Sequence, residues 1–215
     1  MSSLVAAPFP VVVAGPSGAG KTTVCRGLLA VRADLSFSVS LTTRTARPEE
    51  TPDRDYRFVD REMFERLRSE GQLLEWAEVH GELYGTPLSN LVEASREGKH
   101  LLLDIDVQGA RSVRAARSDA VLVFLIPPSG ERIVARLRKR GSEEEKAVRR
   151  RLTRAREELQ ALEEFDYLVV NDDLEHAVAI LGAILDGESH RVLRLAGRGQ
   201  RRALELADEI EGALT

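Results

Sequence analysis

Pro10-Val-Val-Val-Ala-Gly15-Pro-Ser-Gly-Ala-Gly-Lys-Thr22 is the stretch on which the fold turns. Its first five residues form a short apolar run and read as a buried strand. Its last eight match Gly-x-x-x-x-Gly-Lys-Thr, and residues 21–31 carry a helical pattern. Strand, glycine loop and helix in that order build a phosphate cradle. Gly15, Gly18 and Gly20 let the backbone curl so that successive N–H groups point inward. The helix adds the positive end of its dipole. Lys21 brings a mobile cation to the β- and γ-phosphates, and Thr22 offers a hydroxyl to Mg²⁺. An ordinary glycine turn lacks this strand and helix on either side. The stretch implies nucleoside triphosphate binding and leaves the acceptor open.

Working outward, residues 100–106, 120–126 and 167–171 are also short apolar runs without alternation, as strands covered on both faces are. Helical patterns follow them over residues 107–117, 129–140 and 174–185. This alternation predicts an α/β fold, a P-loop core with a doubly wound parallel sheet. Residues 36–87 read differently. Short strands over 38–42, 56–59, 73–79 and 83–86 surround one helix over 61–70, with Asp60 as its expected N-cap. They predict an inserted mixed α/β subdomain. Residues 143–164 read as one long helix with an apolar stripe of Val148, Leu152, Ala155, Leu159 and Leu162. A basic stretch over 190–202 leads into a final helix over 203–214.

Composition narrows the class. Of 215 residues, 31 are Lys or Arg and 35 Asp or Glu, for a net charge of −4, and 43% are hydrophobic. That balance is globular and suffices for a sizeable core. A single Cys excludes a disulfide framework and a thiolate-rich metal site. Cys25 reads as packing. The longest apolar run, residues 120–126, is far short of a membrane span. Residues 1–10 lack the basic residue of a signal peptide. A cytoplasmic location, with no membrane or nucleic-acid partner, is expected. Residues 132–156 carry eleven Lys and Arg against three Glu. A basic segment on an acidic chain suggests a small polyanion, or else a solvated helix face. The four His form no ligand spacing, so Mg²⁺ is the only metal expected.

Asp104 ends an apolar strand, where its carboxylate can reach the Mg²⁺ shell through water. Asp106, two residues on, leaves the strand on the same face. Two carboxylates there call for a cation or ligand, unless Asp106 caps the following helix. No Asn-Lys-x-Asp motif is present, which argues against a guanosine-triphosphate switch.

Four further segments carry a resemblance: Ser40-Leu-Thr-Thr-Arg-Thr-Ala-Arg47, Arg54-Asp-Tyr-Arg-Phe58, Leu73-Leu-Glu-Trp-Ala-Glu-Val-His-Gly-Glu-Leu-Tyr-Gly-Thr-Pro87 and Leu103-Asp-Ile-Asp-Val-Gln-Gly109. With the glycine loop they stand in the order found in the guanylate kinase family, which the chain resembles from about residue 11 to 185. The resemblance implies a core (1–36, 88–130 and 157–187), a GMP-binding subdomain (37–87) and a helical basic lid (131–156). Residues 188–215 form a C-terminal helical extension on which it is silent. It implies an ATP:GMP phosphotransferase, acting as a monomer or homodimer.

By that resemblance ATP is held by Gly15, Pro16, Ser17, Gly18, Ala19, Gly20, Lys21, Thr22, Thr23 and Asn171. Arg44, Arg47, Tyr56 and Tyr84 hold the GMP phosphate, as forked guanidinium groups and neutral hydroxyls can. Ser40, Glu75, Thr86 and Asp106 read the base, with Glu75 accepting from guanine N1–H and N2–H₂. Lys21, Arg44, Arg136, Arg140 and Arg151 carry catalysis. Thr22 and Asp104 serve Mg²⁺. Taken without the family, Arg44 and Arg47 could be surface residues, Tyr56 and Tyr84 core aromatics, and Glu75 a solvent-facing strand residue. Two related classes compete with the kinase: a non-catalytic binding module, against which the intact glycine loop counts, and a sugar-phosphate kinase, against which Glu75 and Asp106 count.

Overall fold

The computed structural model describes residues 6–48, 50–79, 81–139, 145–195 and 197–214. Five parallel strands form the central sheet: β1 (Pro10–Ala14), β2 (Leu35–Phe37), β7 (His100–Asp104), β8 (Val121–Ile126) and β9 (Tyr167–Val170), in the order β2-β7-β1-β8-β9. Both faces of β1 are covered. Val11 and Val13 pack with Val24 and Leu28 of α1 (Lys21–Val31) and with Leu181 and Leu185 of α7 (Leu174–Ser189). Val12 and Ala14 pack on the other side with Leu91 of α3 (Leu88–Arg96) and with Ala110 and Val113 of α4 (Val107–Ala116). This two-sided burial is why the strand sequences show no polar alternation.

The chain runs outward from β1 to β2, returns to β7, then crosses β1 to β8. The reversal opens a crevice at the carboxyl ends of β1 and β7, the place where open α/β sheets bind ligands. Register fixes what lies there, since Val13 pairs with Asp104. The glycine loop therefore starts beside the acidic end of the neighbouring strand.

The inserted segment forms a second sheet in the order β4-β3-β6-β5, from β3 (Leu41–Thr42), β4 (Arg57–Phe58), β5 (Leu73–Val79) and β6 (Glu82–Pro87). Helix α2 (Arg61–Ser69) closes it by burying Phe64 against Leu41 and Leu83. Asp60 caps α2 as expected, accepting from Met63 N–H at 2.7 Å. Helices α5 (Gly130–Lys139) and α6 (Glu145–Leu159) form the basic flap and meet where Ile133 packs on Ala155 and Leu152. Among the described residues, no helix is long and apolar enough to cross a membrane.

Several elements differ from the sequence expectation. Residues 38–42 are not one strand. Leu35–Phe37 joins the core sheet beside β7, and only Leu41–Thr42 enters the second sheet. The strand over 100–106 stops at Asp104. Helix α3 is an addition to the expected elements. The long helix over 143–164 ends at Leu159, its first two residues lying outside the described ones. Gln160 and Ala161 N–H turn back to the carbonyls of Glu157 and Glu158, and a short 3-10 turn follows at Leu162–Glu164. That tightening carries Ala161 into a pocket with Phe124 and Val107, so the stripe does not continue as one face. The last helix, α8 (Arg198–Leu214), starts five residues earlier than the expected 203.

Candidate active site

The glycine loop is shaped by two close approaches. Gly15 has φ +141° and Gly20 φ +94°, and a Cβ at either would collide, with the Leu125 carbonyl oxygen and the Asn171 amide respectively. Side chains tie down the loop's carbonyls. Asn171 Nδ2, buried, donates to Ala19 O at 2.7 Å, and Arg136 donates to Gly18 O and Ala19 O, each at 3.0 Å. With these two carbonyls held, the loop can turn amides toward an anion, although Ala19 N–H is taken by Pro16 O within the turn. Lys21 Nζ lies 2.9 Å from Gly15 O, and Thr22 Oγ1 donates to Asp104 Oδ2 at 2.6 Å.

A cleft of about 380 Å³ joins this loop to the inserted subdomain. Ser17, Gly18, Gly20, Lys21, Thr22 and Asp104 line it from the core, and Ser40, Arg47, Tyr56, Glu75, Tyr84 and Asp106 complete it, with Arg151 contributed by α6. Residues far apart in sequence thus face one space. Thr23 lies in an adjoining hollow with Ser40, Arg47 and Arg151. Thr86 is reached through Glu75. Arg136 and Asn171 act on the loop itself rather than lining the cleft. Arg140 lies outside the described residues.

Glu75 is 6% exposed, so it is not the solvent-facing strand residue its bare sequence allows. A register irregularity between Leu73 and Glu75 turns two successive side chains into the interior, Leu74 toward the core and Glu75 toward the cleft. Thr86, its partner across β5 and β6, donates its hydroxyl to Glu75 Oε1 at 2.7 Å. Burial pushes the Glu75 carboxyl up to about 7, the Thr86 hydroxyl acting in the opposite direction. Asp106 caps α4, Oδ1 accepting from Gly109 N–H at 2.8 Å, while Oδ2 accepts from Arg154 at 2.6 Å. Capping and cleft lining therefore coexist in one carboxylate.

Arg44 does not itself line the cleft but adjoins two tyrosines that do: it makes a two-pronged ion pair with Glu50, each bond 2.8 Å, and donates to the Tyr84 hydroxyl at 3.2 Å. Its guanidinium lies over the ring of Tyr56, 5.3 Å from the centroid. Hydrogen bonding to Arg44 holds the Glu50 carboxyl below the usual carboxylate range. Burial pushes the Tyr56 phenol up to about 12, so it stays a neutral donor.

Sequence reasoning missed Glu50, Arg150, Arg154 and Glu158. Arg150, Arg154 and Glu158 stand four residues apart on α6, one face of a helix, and all three line the cleft. Glu158 accepts from Ser17 N–H at 3.2 Å and from Arg154 Nε at 3.2 Å. A continuous chain of bonds therefore runs from the glycine loop through Glu158 and Arg154 to Asp106. The four-residue spacing was a signal, obscured by the density of Arg around it.

A profile of the family described as guanylate kinase matches residues 8–188. A guanylate kinase of Symbiobacterium thermophilum is 48% identical over 184 residues, 86% of this chain and 87% of that one. One of Rubrobacter xylanophilus is 52% identical over 167 residues, 78% of this chain and 87% of the relative. The crystal structure of guanylate kinase from Anaplasma phagocytophilum superposes with a TM-score of 0.73 at 36% identity, covering 89% of this chain and 92% of that one. The match spans the loop, the inserted sheet and the basic flap together, and the chain belongs to the guanylate kinase family.

Proposed function

We propose that the chain catalyses reversible transfer of the γ-phosphoryl group of ATP to GMP, giving ADP and GDP. The observation that carries this reading is one cleft with a P-loop at one end and the buried Glu75–Thr86 pair at the other. Guanine presents N1–H and N2–H₂ as adjacent donors, which one carboxylate accepts. Adenine presents an acceptor at N1 and would leave Glu75 unpaired. A site built on such hydrogen bonds can reject the mismatched ligand by roughly 10⁴-fold. Arg47, Tyr56, Tyr84 and Arg44 would take the GMP phosphate, with Glu50 giving up its hold on Arg44 as that phosphate arrives.

The attacking group is already an anionic phosphate oxygen, so no strong general base is needed. The obstacle is the approach of two polyanions. Like unit charges about 4 Å apart repel by roughly 4 kcal/mol at an effective dielectric of 20. Lys21, Arg44, Arg47 and Arg151 offset that repulsion and stabilise charge on the equatorial oxygens. Arg136 contributes by fixing the loop that orients the triphosphate. The bonds of Arg154 and Glu158 tie α6 to both ends of the cleft, so closing the flap and excluding water depend on both halves being in place.

Mg²⁺ fits the donor set, because Thr22 Oγ1 and Asp104 Oδ2 are hard oxygen donors side by side at the start of α1. Among the described residues no group of three or more His, Cys, Asp or Glu side chains could hold a metal by itself, so the triphosphate would supply the remaining oxygens. When bound, the ion would neutralise phosphate charge.

ADP release measured with GMP, AMP and a sugar phosphate tests the reading. ADP formation with GMP far above the other two is expected. Equal rates with AMP would remove the base-reading role of Glu75, and no turnover with GMP would leave only a binding module.

A further inference from the structure

Helix α8 (Arg198–Leu214) buries none of its residues. Ala203, Leu206, Ala207, Ile210, Ala213 and Leu214 nevertheless recur at three- and four-residue steps, giving one apolar stripe. Leu206 is 42%, Ile210 63% and Leu214 83% exposed. A lone helix of this length is marginal in water, and its charges make matters worse. Arg198, Arg201 and Arg202 crowd the amino end, and Glu205, Asp208, Glu209 and Glu211 follow, the reverse of what the helix dipole favours.

We propose that α8 is a dimerisation arm whose occupant is α8 of a second copy of this chain, packed antiparallel about a two-fold axis. Antiparallel pairing sets the arginine end of each helix against the acidic end of the other and opposes the two dipoles. It also matches shapes. In the register that puts Leu206 opposite Ala207 of the partner subunit, Ala203 falls opposite Ile210 of the partner subunit, and the two-fold repeats both contacts. Each layer then sets a small residue against a large one, the self-complementarity an isologous interface requires. Small residues also let the helix axes come within about 8 Å. Arg202 bridges Glu205 and Glu209 of its own helix at 3.2 and 3.1 Å, exposed pairs that exchange for partner contacts at little cost.

Charge separates this occupant from others. A surface-lying membrane helix flanks its stripe with Lys and Arg, and a nucleic-acid arm is basic throughout, whereas the carboxyl half of α8 is acidic. The helix has 17 residues, so the contact is only roughly 25 Å long. A contact of that length buries less than a standard interface of about 1,600 Å², so a weak, concentration-dependent dimer is expected. The inference does not depend on how the cleft is read.

Sedimentation velocity of the full chain, from below about 1 μM to about 100 μM, is the test. Reversible monomer–dimer exchange is expected, with Ile210→Asp or Leu206→Asp weakening it at least ~50-fold by setting a charge in the stripe. Kinase turnover of these variants should stay unchanged, showing that the core of the chain still folds. An Arg201→Glu/Arg202→Glu chain and a Glu209→Arg/Glu211→Arg chain should each fail to self-associate, yet dimerise when mixed, since this register sets Arg201 and Arg202 beside Glu209 and Glu211 of the partner subunit. A chain monomeric throughout the range would overturn the proposal. So would a dimer indifferent to both Asp variants, charge-reversed chains that do not pair, or a monomer that binds anionic vesicles through α8 instead.

Discussion

Replacing Glu75 by Gln keeps the shape of a buried side chain and deletes its charge, which separates what the residue costs the fold from what it does for the ligand. Burial raises the Glu75 carboxyl from 4.5 to about 7, a rise worth on the order of 3 kcal/mol. Above pH 7 both native and unfolded chains carry the ionised group, but only the native chain holds it away from water, so the wild type bears the whole penalty. Between pH 7 and 4.5 the native carboxyl takes up a proton before the unfolded one does, and the penalty fades. Below 4.5 it is gone. Glu75→Gln should therefore be more stable than wild type at about pH 8 by about 2–3 kcal/mol, with the gain vanishing near pH 4.5. Its carbonyl still accepts from Thr86, and its amide has Asp106 nearby as acceptor. Urea unfolding of both chains at several pH values reads this difference, and other titrating groups cancel in it. The same variant should lose roughly 10³- to 10⁴-fold in kcat/KM for GMP while gaining relative activity toward AMP. A Glu75→Gln chain no more stable than wild type in mildly alkaline buffer, or a stability difference flat with pH, would show that burial does not strain this carboxylate.

Lys21→Ala should lower turnover by orders of magnitude with an unchanged unfolding curve, and near-normal turnover would remove Lys21 from the chemistry. Asn171→Ala removes one of the two donors to the Ala19 carbonyl and leaves Arg136 as the other, so a loss of about 1 kcal/mol and a raised KM for ATP are expected in urea unfolding and steady-state assays. Arg136→Ala loosens the loop from behind and should act on kcat with little change in KM for GMP; the converse would place Arg136 at the acceptor. Arg154→Ala cuts the link between α6 and Asp106 and should raise KM for GMP while ATP binding measured alone is spared, whereas Arg154→Lys should recover part of the loss.

The glycine loop and the strands around it were legible because every cue is local: apolar runs without alternation, three glycines, and a helix start at Lys21 that the structure reproduces. Leu35–Phe37 was not, because three residues carry no pattern of their own and the strand exists by pairing with Leu102 and its neighbours. Arg44 and Glu75 were singled out by resemblance, but their physical state was hidden. The Glu75 burial follows from a strand irregularity, and the Arg44 ion pair from the fold of the loop that returns Glu50 to it. Glu158 lay in plain view on α6, yet its importance comes from Ser17, 141 positions away, which no helical period reports.

That one cleft holds both nucleotides, and that a buried carboxylate reads the guanine, can be decided by a crystal structure of the chain with GMP. Guanine N1–H and N2–H₂ should lie on Glu75, the phosphate among Arg44, Arg47, Tyr56 and Tyr84, and Glu50 should have turned away from Arg44. GMP bound elsewhere, or bound there with its base facing away from Glu75, would be incompatible with this reading of the site.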